Sequence, residues 1–210
     1  MNRCNIFLLS LIFYGMNSLH GQDLQPIGDV SEFLQKLKQT SVSTQSIKAD
    51  FTEENFFSYL KEPHKSTGIF YYKKENKLRW EKIKPTSYIF LVNGNNVKIK
   101  ENEKEKDVSS FNEAIWKIKE LMLTLVNGEF QNNKAFTPLY FQNDEIYFIK
   151  LIPKNKKLAS IFESIQLTFS KETMRLKELA FYEKSGDKSI MKFSNDVINE
   201  NLSDQLFTNF

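Results

Sequence analysis

Chemistry that needs sulfur or imidazole has almost nothing to work with in this 210-residue chain. It holds one cysteine, Cys4, and two histidines, His20 and His64. That scarcity excludes the usual zinc ligand sets and any cysteine nucleophile. His64 lies in the turn sequence "KEPHKS", an ordinary place for a solvated side chain. No G-x-S-x-G, G-x-G-x-x-G or phosphate-loop pattern occurs. The carboxylates of "KENEKEKD" (100–107) alternate with lysines instead of converging, so calcium binding and paired-acid hydrolysis find no support. No catalytic residue, metal ligand or cofactor is expected, and the chain reads as a binder, not an enzyme.

Long apolar runs are scarce too. Ile6–Met16 follows a basic Arg3 and ends near small residues at Gly21. At eleven residues it is shorter than the ~20 a membrane-spanning helix needs. It reads as a secretory signal peptide cut between Gly21 and Gln22. Cys4 precedes the apolar run, so it is not placed as a lipidated cysteine. The expectation is an exported, soluble mature chain of residues 22–210 forming one domain. The cysteine leaves with the signal, so the core must hold without disulfides. The formal charge of +3 falls to +2 with Arg3 removed, which disfavours a nucleic-acid partner.

What the sequence does have is rings. Of 19 phenylalanines, only Phe7 and Phe13 lie in the leader. Residues 29–45 carry a helical stripe of Val30, Phe33, Leu34 and Leu37, with Asp29 and Ser31 as candidate caps. From residue 46 the period changes to two. Strands are expected at 46–57, 66–74, 77–83, 87–93, 96–100, 135–142, 145–152, 162–169, 174–183 and 188–194, with a last short one near 205–210. Turn signals separate them, among them Lys84-Pro85, Asn93-Gly94 and Ser185-Gly186-Asp187. Hairpins in series without helices between them mean an antiparallel sheet, and about eleven strands would curl or close. Residues 111–126 form the exception, a helix with an apolar arc wider than a surface helix needs. It is either a plug over the concave side of the sheet or plain core.

The stretch "KLRWEKIKPTSYIFLVNG" (77–94) poses a question. Its first strand alternates, whereas Tyr88–Val92 is apolar on both faces. The longer segment "GIFYYKKENKLRWEKIKPTSYIFLVNGNNVKI" (68–99) resembles the hallmark region of the LolA family, periplasmic carriers of outer-membrane lipoproteins. Gly68, Phe70, Lys73, Lys74, Leu78, Arg79, Trp80, Glu81, Pro85, Asn93 and Gly94 fall into its order and spacing. "IKADFTEE" (47–54) is similar to that family's opening strand and "DQLFTNF" (204–210) to its closing one. Two positions depart: Glu75 stands where the family has proline, and Lys74 where its best-studied carriers have arginine.

The resemblance implies a mainly β fold with some α, an open antiparallel β-barrel covered by helices that act as lid or plug over a hydrophobic cavity. It implies a carrier whose cavity holds the acyl chains of lipid-modified proteins. The partners it implies are an inner-membrane extracting transporter and an outer-membrane acceptor, with the carrier itself monomeric. Cavity candidates on the strands are Phe70, Tyr72, Trp80 and Phe90. On the helix they are Ile115, Ile118, Met122 and Leu125. Lys74 and Arg79 are the lid-control candidates. Two other readings stay open: a carrier or sensor for another amphiphile, and a secreted structural β-domain.

Overall fold

The computed structural model assembles the period-two segments into one twelve-stranded antiparallel sheet. It describes residues 23–108, 119–124, 129 and 134–210. The strands are β1 (Gln25–Pro26), β2 (Ser46–Phe56), β3 (His64–Lys73), β4 (Lys77–Lys84), β5 (Tyr88–Asn93) and β6 (Asn96–Glu101). They continue with β7 (Lys104–Lys106), β8 (Phe136–Gln142), β9 (Ile146–Pro153), β10 (Phe162–Ser170), β11 (Leu176–Glu183) and β12 (Lys188–Ile198). Helices are α1 (Ser31–Ser43), a helical segment at 119–124 termed α2, and α3 (Lys156–Ile161).

Spatial order runs β1-β8-β9-β10-β11-β12-β2-β3-β4-β5-β6-β7. The outermost strands, β1 and β7, do not pair with each other, so the sheet stays open. Both edges are protected by their sequence: β1 ends in proline and β7 reads Lys-Glu-Lys. The decisive long-range step is β12 on β2, where Met191 faces Glu53 and Phe193 faces Phe51.

Alternation places one residue in two on the inner face. On β2 these are Ile47, Ala49, Phe51 and Glu53; on β3, Ser66, Gly68, Phe70 and Tyr72. Gly68 is required by packing. A Cβ there would lie 2.0 Å from the Glu81 carbonyl oxygen and 2.5 Å from the Phe51 ring. Phe51 instead meets Trp80 edge-on, centroids 5.5 Å apart. Helix α1 covers β8, β9 and β10 through buried Phe33 and Leu37. The Phe33 ring lies 4.6 Å from that of Tyr147 and 6.0 Å from those of Tyr140 and Phe169.

The two-faced apolar strand has a structural answer. Phe90 and Val92 join the main core with Leu78 and Trp80. Ile89 and Leu91, also buried, point to the opposite face. The C-terminal segment packs there against β4 and β5 and contributes buried Leu202 and Phe207.

Several expectations need correction. Among the described residues the sheet has twelve strands, close to the eleven or so expected; the two-residue β1 and three-residue β7 carry too little pattern to read. The expected strand near 205–210 is a 3-10 turn, Asp204–Phe207, capped by the Ser203 hydroxyl, which accepts from the Gln205 amide (3.3 Å). Phe207 and Phe210 are three apart, the spacing of a 3-10 turn and not of a strand. Val30 occupies the N-cap of α1, while Asp29 accepts a hydrogen bond from the Ser31 amide (2.9 Å). Helix α3 was unforeseen; Asn155 caps it by accepting from the amides of Lys157 and Leu158. The hairpin tip inside "KENEKEKD" is the β6–β7 turn, with Asn102 and Glu103 both at positive φ. Residues 1–21, expected to be a signal peptide, and most of the expected helix 111–126 lie outside the described residues.

Candidate functional site

Between α1 and the inner face of the sheet lies a cavity of about 210 Å³. Its apolar wall comes from Leu37 of α1, Ile47 and Ala49 of β2, Phe70 of β3 and Met122 of α2. Phe169 of β10, Phe193 and Ile198 of β12, and Met174 and Leu176 after the β10–β11 turn complete it. The β12–β2 pairing brings Phe193 beside Phe70, ring centroids 5.9 Å apart. A bulge between Ser194 and Val197 turns Asp196 to the rim, where it pairs with Arg175.

Most polar side chains around the cavity, Ser41, Ser43, Thr44, Arg175 and Asp196, are already engaged. Thr44 donates its hydroxyl to the Thr40 carbonyl (2.7 Å), as does Ser43 (2.9 Å), and Ser41 donates to the Lys38 carbonyl (3.0 Å). Lys177 adds a second cation 3.7 Å from Asp196. The described walls therefore offer dispersion contact and area burial, a surface suited to a hydrocarbon tail.

Past Phe51 the inner face turns polar. Buried Glu53 pairs with Lys82 and accepts from the hydroxyls of Ser66 (2.8 Å) and Ser189 (3.0 Å). This satisfied carboxylate bounds the apolar region. Nearby Tyr88, with the Lys82 ammonium 5.9 Å from its ring, has its phenol pushed up to about 12, first by burial and then by the charges of Glu101 and Glu53. Burial likewise raises the Tyr72 phenol. Among the described residues the Trp80 indole N–H is a buried donor without a partner.

Of the residues singled out from sequence, Phe70 and Met122 line the cavity. Tyr72, Trp80 and Phe90 are buried in the same core but stand outside the lining. Ile115, Ile118 and Leu125 lie outside the described residues. Lys74 binds the end of α1: its Nζ donates to the Val42 carbonyl (2.6 Å) and its amide to the Gln45 carbonyl (2.8 Å). Arg79 is buried on the opposite face of the sheet. There its guanidinium donates to the carbonyls of Leu206 (3.2 Å) and Asn209 (2.8 Å) and to Glu81 (2.7 Å). The sequence missed the walls from Phe169, Met174, Leu176, Phe193 and Ile198. Their alternation was visible, but not the strand order that brings them beside β2.

Among the described residues no group of His, Cys, Asp or Glu is placed to hold a metal, and no helix is long and apolar enough to cross a membrane. The class defined is an open antiparallel sheet whose inner face and covering helix enclose an apolar hollow. A family model, "Outer membrane lipoprotein carrier protein LolA", matches residues 42–209, and the chain belongs to that family.

No curated protein matches the chain. Solved structures similar in fold include a LolA superfamily protein from Nitrosomonas europaea (11% identity, 84% of this chain and 97% of that one, TM-score 0.42). Another is a putative outer membrane lipoprotein-sorting protein domain from Vibrio parahaemolyticus (11%, 85% and 96%, TM-score 0.45). A third is the lipoprotein LppX of Mycobacterium tuberculosis (12%, 82% and 98%, TM-score 0.43).

Proposed function

We propose that this protein is a periplasmic carrier that shelters the acyl chains of lipid-modified proteins between α1 and the inner face of the sheet. It would take its cargo from an inner-membrane transporter and deliver it to an outer-membrane acceptor. Residues 1–21 would be removed on export, and residues 22–210 would act as a single monomeric domain. The observation that carries this reading is the cavity of about 210 Å³, apolar over most of its walls, in a LolA-family fold.

Burying one chain of ~15 methylenes releases ~12 kcal/mol at ~0.8 each. Association and ordering cost ~4–15 kcal/mol, which leaves the moderate affinity a carrier needs. The hollow is smaller than the ~300–1,000 Å³ of common ligand pockets, so cargo must displace part of the cover. Met122 suits that task, because an unbranched thioether repacks at low cost. A second reading is a carrier of another amphiphile, whose anionic headgroup would meet Arg175 at the rim by displacing its Asp196 partner.

Native mass spectrometry of gently purified protein, together with titration of a fluorescent fatty acid, tests the proposal. Acyl-peptide or lipoprotein adducts support the first reading and free lipid the second. Protein that stays empty and leaves the probe unchanged overturns both.

A further inference from the structure

We propose that the rim opposite the cavity mouth docks on an anionic lipid surface. Large exposed side chains gather there. Tyr59 is 76% exposed, Leu60 40%, Ile83 48% and Ile161 39%. They lie on three neighbouring connections, β2–β3 (57–63), β4–β5 (83–87) and the α3 segment (154–161), with the β11–β12 turn (184–187) among them. Hydrogen bonds join three of the four: the Ser58 amide donates to Asp187 (2.8 Å) and the Lys184 amide to the Ile161 carbonyl (2.8 Å). The β2–β3 tip is a firm aromatic knuckle. Phe57 stacks on Tyr59 at 5.6 Å and meets His64 edge-on at 5.5 Å.

Charge distinguishes a lipid surface from a generic apolar partner. With the β6–β7 turn and the residue before β8 at the same end, the connections carry Lys61, Lys84, Lys134, Lys154, Lys156, Lys157 and Lys184, all exposed, against Glu62, Glu103 and Asp187: seven positive, three negative, net +4. At the other end, connections 74–76, 94–95, 143–145, 171–175 and 199–205 hold three cations (Lys74, Lys171, Arg175). Against these stand six acids (Glu75, Asp144, Glu145, Glu172, Glu200, Asp204), net −3. A molecule polarised in this way orients its basic end toward anionic headgroups. Rings and aliphatic tips between lysines then enter the interface while the ammonium groups stay in water. The acidic end, with the cavity mouth, faces away from the bilayer. This inference does not rest on the cavity's cargo.

Flotation of the full chain with vesicles of mixed phosphatidylglycerol and phosphatidylcholine, beside vesicles of pure phosphatidylcholine, tests it. Binding to the anionic vesicles is expected to be at least ~tenfold tighter at low salt and to weaken as salt rises. Lys156→Glu/Lys157→Glu/Lys184→Glu removes the anionic preference. Tyr59→Ser/Leu60→Ser removes the salt-resistant remainder. Lys38→Glu/Lys192→Glu, exposed sites away from the rim, retains both, and circular dichroism verifies the fold of each variant. Equal partition to both vesicles, or rim variants that float like the parent chain, overturns the proposal. So does a loss of preference in the Lys38/Lys192 variant equal to that in the rim variant, which would mean general basicity and not a docking end.

Discussion

Ala49→Leu separates a cavity that serves a ligand from one that is a packing defect. Ala49 is buried, faces the hollow and pairs across the sheet with Phe70. Leucine adds three carbons to a space of about 210 Å³. At ~0.8 kcal/mol per buried carbon, the added transfer term is about 2.4 kcal/mol. Cavity-filling substitutions commonly realise ~0.5–2 kcal/mol of such a term as stability. The same atoms take the room of about three methylenes of tail, so affinity should fall by ~50-fold, 1.4 kcal/mol being a factor of ten. Urea unfolding should therefore show a rise in stability, and titration with a fluorescent fatty acid a loss of binding. A variant that is more stable yet binds as before would refute this placement of the acyl site. One destabilised by overpacking would show that the hollow is not open at Ala49.

Other perturbations report on the scaffold. Gly68→Ala forces a methyl into the Glu81 carbonyl and the Phe51 ring and should cost more than ~4 kcal/mol, read as loss of the cooperative unfolding transition. Arg79→Leu leaves the Leu206 and Asn209 carbonyls without their charged donor. It should destabilise by ~2–4 kcal/mol in urea while leaving fatty-acid affinity unchanged, since the cavity lies on the other face; lost affinity would contradict that division. Tyr88 should ionise near 12 in ultraviolet titration, and Tyr88→Phe should delete that step. The sign follows from the raised value. The stability due to neutral Tyr88 is complete below the ordinary phenol value of 10 and is lost as pH rises from there toward 12.

How much could be read from the sequence depended on range. Strands β2 to β6 and β8 to β12 were legible, most through alternation and β5 through a short continuous apolar run, each bounded by turn residues. α1 was so through Phe33 and Leu37. Helix α3 was not: "KKLASI" buries only Leu158, too little for a period to form, and its one legible signal was the Asn155 cap. The rings of the C-terminal segment suggest a strand, and only the three-residue spacing of Phe207 and Phe210 marks the 3-10 turn. The site was legible only where one strand supplied it. Phe70 stood out within a single motif. Phe169 and Phe193 line the same hollow because β12 pairs with β2 across more than 130 residues, and no local pattern encodes that pairing.

Three cations of the hallmark segment share one job, which bears on how the cavity opens. Lys73 donates to the Leu202 carbonyl (2.8 Å), Lys74 to Val42 and Arg79 to Leu206 and Asn209. Each secures the main chain of a segment that lies on the sheet without belonging to it. Only Lys74 holds the helix that roofs the cavity, and it does so through one carbonyl, at the negative end of the α1 dipole. Phe33 and Leu37 anchor the body of that helix. Release of Lys74 should therefore loosen the last turn, Ser41–Thr44 at the cavity edge, without unfolding the rest. Lys74→Met should lower stability by about 1 kcal/mol and speed release of a bound fatty acid several-fold in stopped-flow displacement. Lys74→Arg, able to hold further carbonyls, should slow it. Identical release rates in all three proteins would mean that cargo leaves without moving this end of α1, and the gate would then have to be sought at Met122.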